Sequence, residues 1–151
     1  GRPLQNGKWF EKFRSNYLDV DNDALYPFGY GLSYTTFQYG DIVLNTPTMK
    51  QNETITATIQ VTNSGKYDGA EVVQLYIRDL VGSITRPVRE LKGFKKIFLK
   101  AGESKTVSFK ITADLLRFYD YDLNQVTEPG EFDIFIGGSS QATKTARLTL
   151  K

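Results

Sequence analysis

From Tyr39 onward apolar and polar residues alternate in short runs, a pattern that puts one side of each run in a core and the other in water. Between Thr54 and Thr62, Ile55, Ala57, Ile59 and Val61 point one way, and Thr54, Thr56, Thr58, Gln60 and Thr62 the other. Val73, Leu75 and Ile77 alternate in the same way with Gln74, Tyr76 and Arg78, which places those three on a wet face. Val107, Phe109 and Ile111 alternate with Thr106, Ser108 and Lys110. Shorter runs at Ile42 to Leu44, Phe94 to Leu99, Phe132 to Ile136 and Ala146 to Leu150 complete a set of roughly seven strands. Turn residues separate them: Asn63-Ser64-Gly65, Asp68-Gly69, Ala101-Gly102-Glu103, Glu128-Pro129-Gly130 and Gly137-Gly138-Ser139-Ser140. Only Asp114 to Phe118 reads as helical, a single turn with Asp114 as the acceptor for its free amides. The pattern predicts an all-β chain, an antiparallel immunoglobulin-like β-sandwich over residues 36–151.

Residues 1–35 follow neither strand nor helix periodicity and carry Pro3, Gly7, Pro27, Gly29 and Gly31. Structureless stretches of this length inside a domain are functional, linking or disordered. Disorder fits poorly, because 10 of the 20 aromatic residues lie in the first 39 positions and disordered segments are poor in aromatics. Trp9, Phe10, Phe13, Tyr26, Phe28, Tyr30, Leu32 and Tyr34 are therefore expected to pack against something. Pro27 fixes its own φ, while Gly29 and Gly31 permit positive φ or close approach of main chain, so Tyr26 to Tyr34 is expected to form a rigid aromatic hook.

Composition narrows the chemistry. The 151 residues contain no His and no Cys, which removes Ser/His/Asp triads, Cys nucleophiles, imidazole or thiolate zinc sites and disulfides. A net charge of +2 gives no reason to expect nucleic acid or a membrane as partner. No apolar run is long enough for a membrane helix and the first residues do not read as a signal peptide, so the chain is expected to be cytoplasmic or an internal piece of something longer.

The remaining motifs are weak. Gly29-Tyr30-Gly31 opens like a dinucleotide fingerprint but lacks the third glycine and a preceding strand. Asp19, Asp21 and Asp23 imitate the start of a calcium loop, yet Ala24 and Tyr30 stand where glycine and glutamate are needed, and a solvated acidic turn is the plainer reading. Arg86, Arg89, Lys92, Lys95, Lys96 and Lys100 form one basic stretch, read as a solvated sheet face. Asn52-Glu53-Thr54 is a glycosylation sequon in a glycosylating, secreting host. The 17 carboxylates offer no pair that spacing singles out for glycoside hydrolysis. No metal site and no cofactor are expected.

One resemblance runs through nearly the whole chain. Tyr26-Pro27-Phe28-Gly29-Tyr30-Gly31-Leu32-Ser33-Tyr34-Thr35-Thr36-Phe37 resembles the segment leading into the C-terminal domain of family 3 glycoside hydrolases, the β-glucosidase and β-xylosidase family. Gly69 to Tyr76, Arg86 to Phe94, Ala101 to Ser104, Glu128 to Phe132 and Gly137 to Ser140 resemble the fibronectin type III-like domain of those enzymes, in the same order. Gly1-Arg2-Pro3 is similar to the end of the linker that precedes this region in bacterial members. Ala24 departs from the proline common there, and residues 4–23 match less specifically. The resemblance implies a retaining, exo-acting parent enzyme that removes non-reducing-end glucose or a related sugar. Its nucleophile Asp would lie on a barrel domain and its acid/base on a following α/β domain, both upstream of Gly1, so no catalytic role falls on any residue here. It further implies a non-catalytic domain that docks on those neighbours and stabilises them, and export to the periplasm or beyond the cell. A carbohydrate-binding module and a protein-interaction module are the alternatives.

Overall fold

The computed structural model describes residues 25–80, 89–119, 122 and 124–151. Two β-sheets face each other. The first is built on β4 (Thr54–Asn63), which pairs on one side with β7 (Ser104–Thr112) and on the other with two short strands, β1 (Phe37–Tyr39) and β2 (Val43–Leu44). The second runs in the order β3 (Thr48–Met49), β11 (Thr145–Leu150), β10 (Gly130–Gly137), β5 (Gly69–Asp79), β6 (Glu90–Leu99). A small ribbon of β8 (Phe118–Tyr119) and β9 (Gln125–Val126) stands apart. Pairing is antiparallel except between β3 and β11. The chain crosses from β2 in one sheet to β3 at the edge of the other, and arrives there running with β11.

Alternation decides which residues meet inside. Ile55 faces Ile111, Ala57 faces Phe109 and Ile59 faces Val107 across β4 and β7, while Leu75 faces Ile136 and Ile77 faces Ile134 across β5 and β10. Together with Val73, Leu99, Phe132, Leu148, Leu150 and Met49 they form one hydrophobic core. Each such side chain contributes about 1.5–3 kcal/mol on burial. No long helix is needed to cover either sheet, and none among the described residues is long and apolar enough to cross a membrane.

Two similar turns carry the chain from the five-stranded sheet to the other, one between β3 and β4 and one between β6 and β7. In residues 50–53 and 100–103 the backbone N–H of the fourth residue donates to the carbonyl of the first, and the glutamate side chain accepts from the first residue's N–H. Gly102 has φ +77°, a conformation costly for side-chain-bearing residues. Asn52 of the sequon lies exposed in the first of these turns. The helical turn is a short 3-10 turn, Ala113–Leu116. Contrary to expectation Asp114 does not cap it: the N-cap is Thr112 with no side-chain bond, and Asp114 lies inside the turn, where its carboxylate pairs with Arg117 at 2.8 Å.

Candidate functional site

Residues 25–36 run along the outside of the five-stranded sheet, and their backbone is fastened to it. The N–H of Tyr30 donates to the carbonyl of Pro27 at 3.0 Å, closing a turn with Gly29 at φ +78° in its third position, where positive φ calls for glycine. The Gln74 side-chain amide donates to the carbonyls of Gly29 and Gly138, each at 2.8 Å. Its oxygen accepts from the Tyr76 hydroxyl at 2.5 Å. The carbonyl of Phe28 accepts from the N–H of Ser140 at 2.8 Å. A Cβ on Gly29 would overlap the Gln74 side-chain oxygen and lie 2.6 Å from the Tyr76 hydroxyl. Gly31 is different: its φ is not positive and an added Cβ meets nothing within 4 Å. Neither reason for glycine holds there.

Farther along, Thr35 is buried and its hydroxyl donates to the Asn63 side-chain oxygen at 2.6 Å. The Asn63 amide donates in turn to the carbonyls of Tyr67 and Leu99. A Cβ on Gly65 would clash with the Thr35 hydroxyl. The lead is thus held at two points, Gly29 and Thr35.

This arrangement corrects two sequence expectations. Gln74 and Tyr76 are not on a wet face: they are 5% and 1% exposed, because the lead and the loop after β10 cover them. Burial raises the Tyr76 hydroxyl pKa. Arg89 is not simply solvated either. Its guanidinium lies 3.8 Å above the Phe135 ring, and Nη1 donates to the carbonyls of Ser140 and Ala142 at 2.7 and 2.8 Å. Loss of water around it, followed by the like charge of Arg78, lowers its pKa. The sequence did carry a signal for this. Val72 to Ile77 is nearly continuous in apolar bulk, the mark of a strand covered on both faces.

With the backbone tied down, the hook's side chains turn outward. Tyr26, Phe28, Tyr30, Leu32 and Tyr34 are all exposed, and the Tyr26 and Tyr30 rings lie 5.3 Å apart. Trp9, Phe10 and Phe13, together with Asp19, Asp21, Asp23 and Arg86, lie outside the described residues. Phe94 and Phe98 are exposed as well, on β6, a feature that sequence analysis assigned only to a basic face.

One carboxylate is perturbed. Glu71 accepts from the Tyr39 hydroxyl at 2.6 Å, across the gap between the two sheets. Burial raises its pKa, partly offset by that hydrogen bond. The Tyr39 hydroxyl is pushed up by burial and then by Glu71. Glycoside hydrolysis needs two carboxylates flanking one bond, and among the described residues nothing pairs Glu71 with a second. Among the described residues no group of three or more acidic side chains could hold a metal ion.

A family model for the fibronectin type III-like domain matches residues 71–140. The chain carries a fibronectin type III-like domain. The relatives are those that the sequence resemblance implied. Over 150 residues the chain is 48% identical to a periplasmic β-glucosidase of Salmonella typhimurium, covering 99% of this chain and 20% of that protein. It is 49% identical to a β-xylosidase of Formosa agariphila over 91% of this chain and 19% of the relative. A solved β-glucosidase from Listeria innocua, in complex with gluconolactone, superposes with a TM-score of 0.85 at 38% identity, over 99% of this chain and 21% of its own. The chain therefore spans about a fifth of the length of the relatives it matches.

Proposed function

We propose that this chain is the non-catalytic fibronectin type III-like domain of a family 3 β-glucosidase, and that it docks on the catalytic domains of the same polypeptide and stabilises them. The observation that carries the proposal is the division of labour in the lead. Its backbone is clamped to the sheet through Gly29, while Tyr26, Phe28, Tyr30, Leu32 and Tyr34 face outward. Five large side chains carried on a clamped backbone have already lost part of the backbone ordering entropy that docking would otherwise remove. Trp9, Phe10 and Phe13 extend the same surface in this reading, with residues 1–35 as the lead and 36–151 as the sandwich. The parent enzyme hydrolyses terminal, non-reducing β-D-glucosyl residues; a periplasmic location follows the name of the Salmonella relative, and an extracellular one follows the family resemblance alone.

The test is a double substitution, Phe28→Ala with Tyr30→Ala, in the full-length enzyme. Both side chains are exposed, so the sandwich keeps its fold, while the interface loses about 2 kcal/mol of burial after ordering costs. The expected outcome is loss of glucosidase activity at a temperature several degrees lower, with kcat unchanged in the cold. Unaltered heat resistance removes the docking role.

A carbohydrate-binding module is the second reading, favoured by Phe94 and Phe98, which stand on one side of β6 as a stacking platform would require. Across the strand pair their neighbours are Ala70, Val72 and Gln74, and the one amide, Gln74, has both donors committed to the Gly29 and Gly138 carbonyls rather than free to grip sugar hydroxyls. Affinity electrophoresis on glucan, cellulose and xylan tests it, retardation being the result that favours the module.

A further inference from the structure

We infer that the outer face of β5 and β6 is a second docking surface, continuous with the hook, and that its occupant is an apolar, carboxylate-bearing surface on the remainder of the same polypeptide. This rests on the docking role proposed above, and it adds residues outside the hook and a chemistry for the partner.

Register defines the face. Ala70 lies opposite Phe98, Val72 opposite Lys96 and Gln74 opposite Phe94; after a bulge Tyr76 lies opposite Leu91. On the inner side Ile97 and Leu99 are buried, whereas Phe94 and Phe98 are 68% and 60% exposed and Val72 and Leu91 are exposed too. β6 ends the sheet, with a partner on one side only. A long edge strand that presents two phenylalanines invites aggregation unless something covers it.

Three features select the occupant. First, the face is joined to the hook: Phe28 and Leu91 line one cavity of about 580 Å³, with Tyr76, Arg89, Ser140 and Gln141. Whatever covers Phe28 reaches Leu91. Second, the area calls for it. Partly exposed aromatic and aliphatic side chains offer about 100 Å² each, so among the described residues the five of the hook fall short of the ~800 Å² per partner of a stable interface, and the four on this face bring the described surface into that range. Third, the charge is one-sided. Lys96 stands between the two phenylalanines, and Arg89 opens on the cavity with Nη1 already bonded. Asp133, the acidic neighbour in Arg89's field, is held by Arg147 at 2.7 Å, and Lys92 is paired with Glu90. A second copy of this face would bring like charges together, whereas a carboxylate opposite Arg89 would relieve a partly desolvated cation. The relatives carry about four-fifths of their length outside the matched region, which supplies such a surface at high effective concentration.

The experiment is hydroxyl-radical footprinting of the full-length enzyme, read by mass spectrometry. The reference is Tyr67, 66% exposed in the connection between β4 and β5. Phe94 and Phe98 are expected to be modified at least about five-fold more slowly than Tyr67, since an interface core excludes most solvent. If they react like Tyr67 while Tyr26 and Phe28 are protected, the second surface is wrong and the hook survives. If all four react freely, both proposals fall. Protection that appears only with added xylan or gluco-oligosaccharide assigns the face to glycan, and protection that appears only at high protein concentration assigns it to self-association; either overturns the inference. Lys96→Glu supplies the charge arm. It is expected to speed heat inactivation about three-fold, the scale of one exposed charge pair, while Lys105→Glu on the opposite sheet leaves the rate unchanged. Equal rates for the two variants would refute the acidic partner.

Discussion

The two faces of β5 use opposite chemistry to the same end. Inward, Val73, Leu75 and Ile77 meet an apolar layer in which contacts are non-directional. Outward, Gln74 and Tyr76 are buried just as deeply, but beneath backbone: the carbonyls of Phe28, Gly29 and Gly138. An apolar layer tolerates small shifts, whereas a buried amide with both donors committed fixes position to within a hydrogen bond's tolerance. The inner face makes the sandwich stable. The outer face fastens the backbone of the lead, and a fastened backbone is what the proposed docking edge needs.

The sharpest way to break this contrast is at Gly29. Gly29→Ala combines a left-handed backbone with overlap of its new Cβ on Gln74, and is expected to cost about 3 kcal/mol. Gly102→Ala is the control. Its φ is nearly identical at +77°, but no atom lies within 4 Å of the added methyl group, so only the backbone cost of about 1 kcal/mol remains. Urea unfolding of both variants checks the difference. Equal losses would mean that the outer network yields easily and is no clamp.

Gln74→Leu probes the same network from the sheet side. Leucine fills similar space but leaves the Gly29 and Gly138 carbonyls without the Gln74 donors and the Tyr76 hydroxyl without its short partner. The expected loss is about 2 kcal/mol, comparable with the lower end for truncating a core leucine such as Leu75→Ala. Proteolysis should then cut first between Leu25 and Thr36, while the strands stay protected. A neutral Gln74→Leu would return this face to the ordinary wet side of a strand.

That ordinary side is what period-two alternation predicts, and the reason it fails is instructive. Alternation reports how a strand packs against the other sheet, and there it was right: the inner residues of β4, β5 and β7 were legible from sequence. Whether the second side of a strand is covered depends on where a distant irregular segment lies. Gln74 and Gly29 meet across 45 positions of chain, and no local period encodes that. Glycine and proline spacing did mark the hook, through Gly29. Asn63 was legible as a turn residue but not as a buried one, because its role depends on Thr35. Phe94 and Phe98 were masked by the lysines around them, although on a strand their even spacing puts both on one side.

The smallest expected effect, and the one that best separates a structural carboxylate from a functional one, concerns Glu71. Burial raises its pKa, so the folded state holds the proton more tightly than the unfolded chain does. The sign follows by linkage: its contribution to stability is complete below the ordinary glutamate range and is lost as pH rises through the folded-state value. Glu71→Gln keeps an oxygen for the Tyr39 hydroxyl and removes the titration. Wild type and variant should therefore melt together near pH 4, with the variant gaining toward neutral pH by less than about 1 kcal/mol, since Glu71 is only half-buried. Tyr39→Phe acts the other way, because it removes the hydrogen bond that favours the ionised form and so steepens the loss with pH. Thermal melts of the three proteins at a series of pH values decide the matter. Parallel curves would mean that the Tyr39–Glu71 pair is solvated enough to carry no cost.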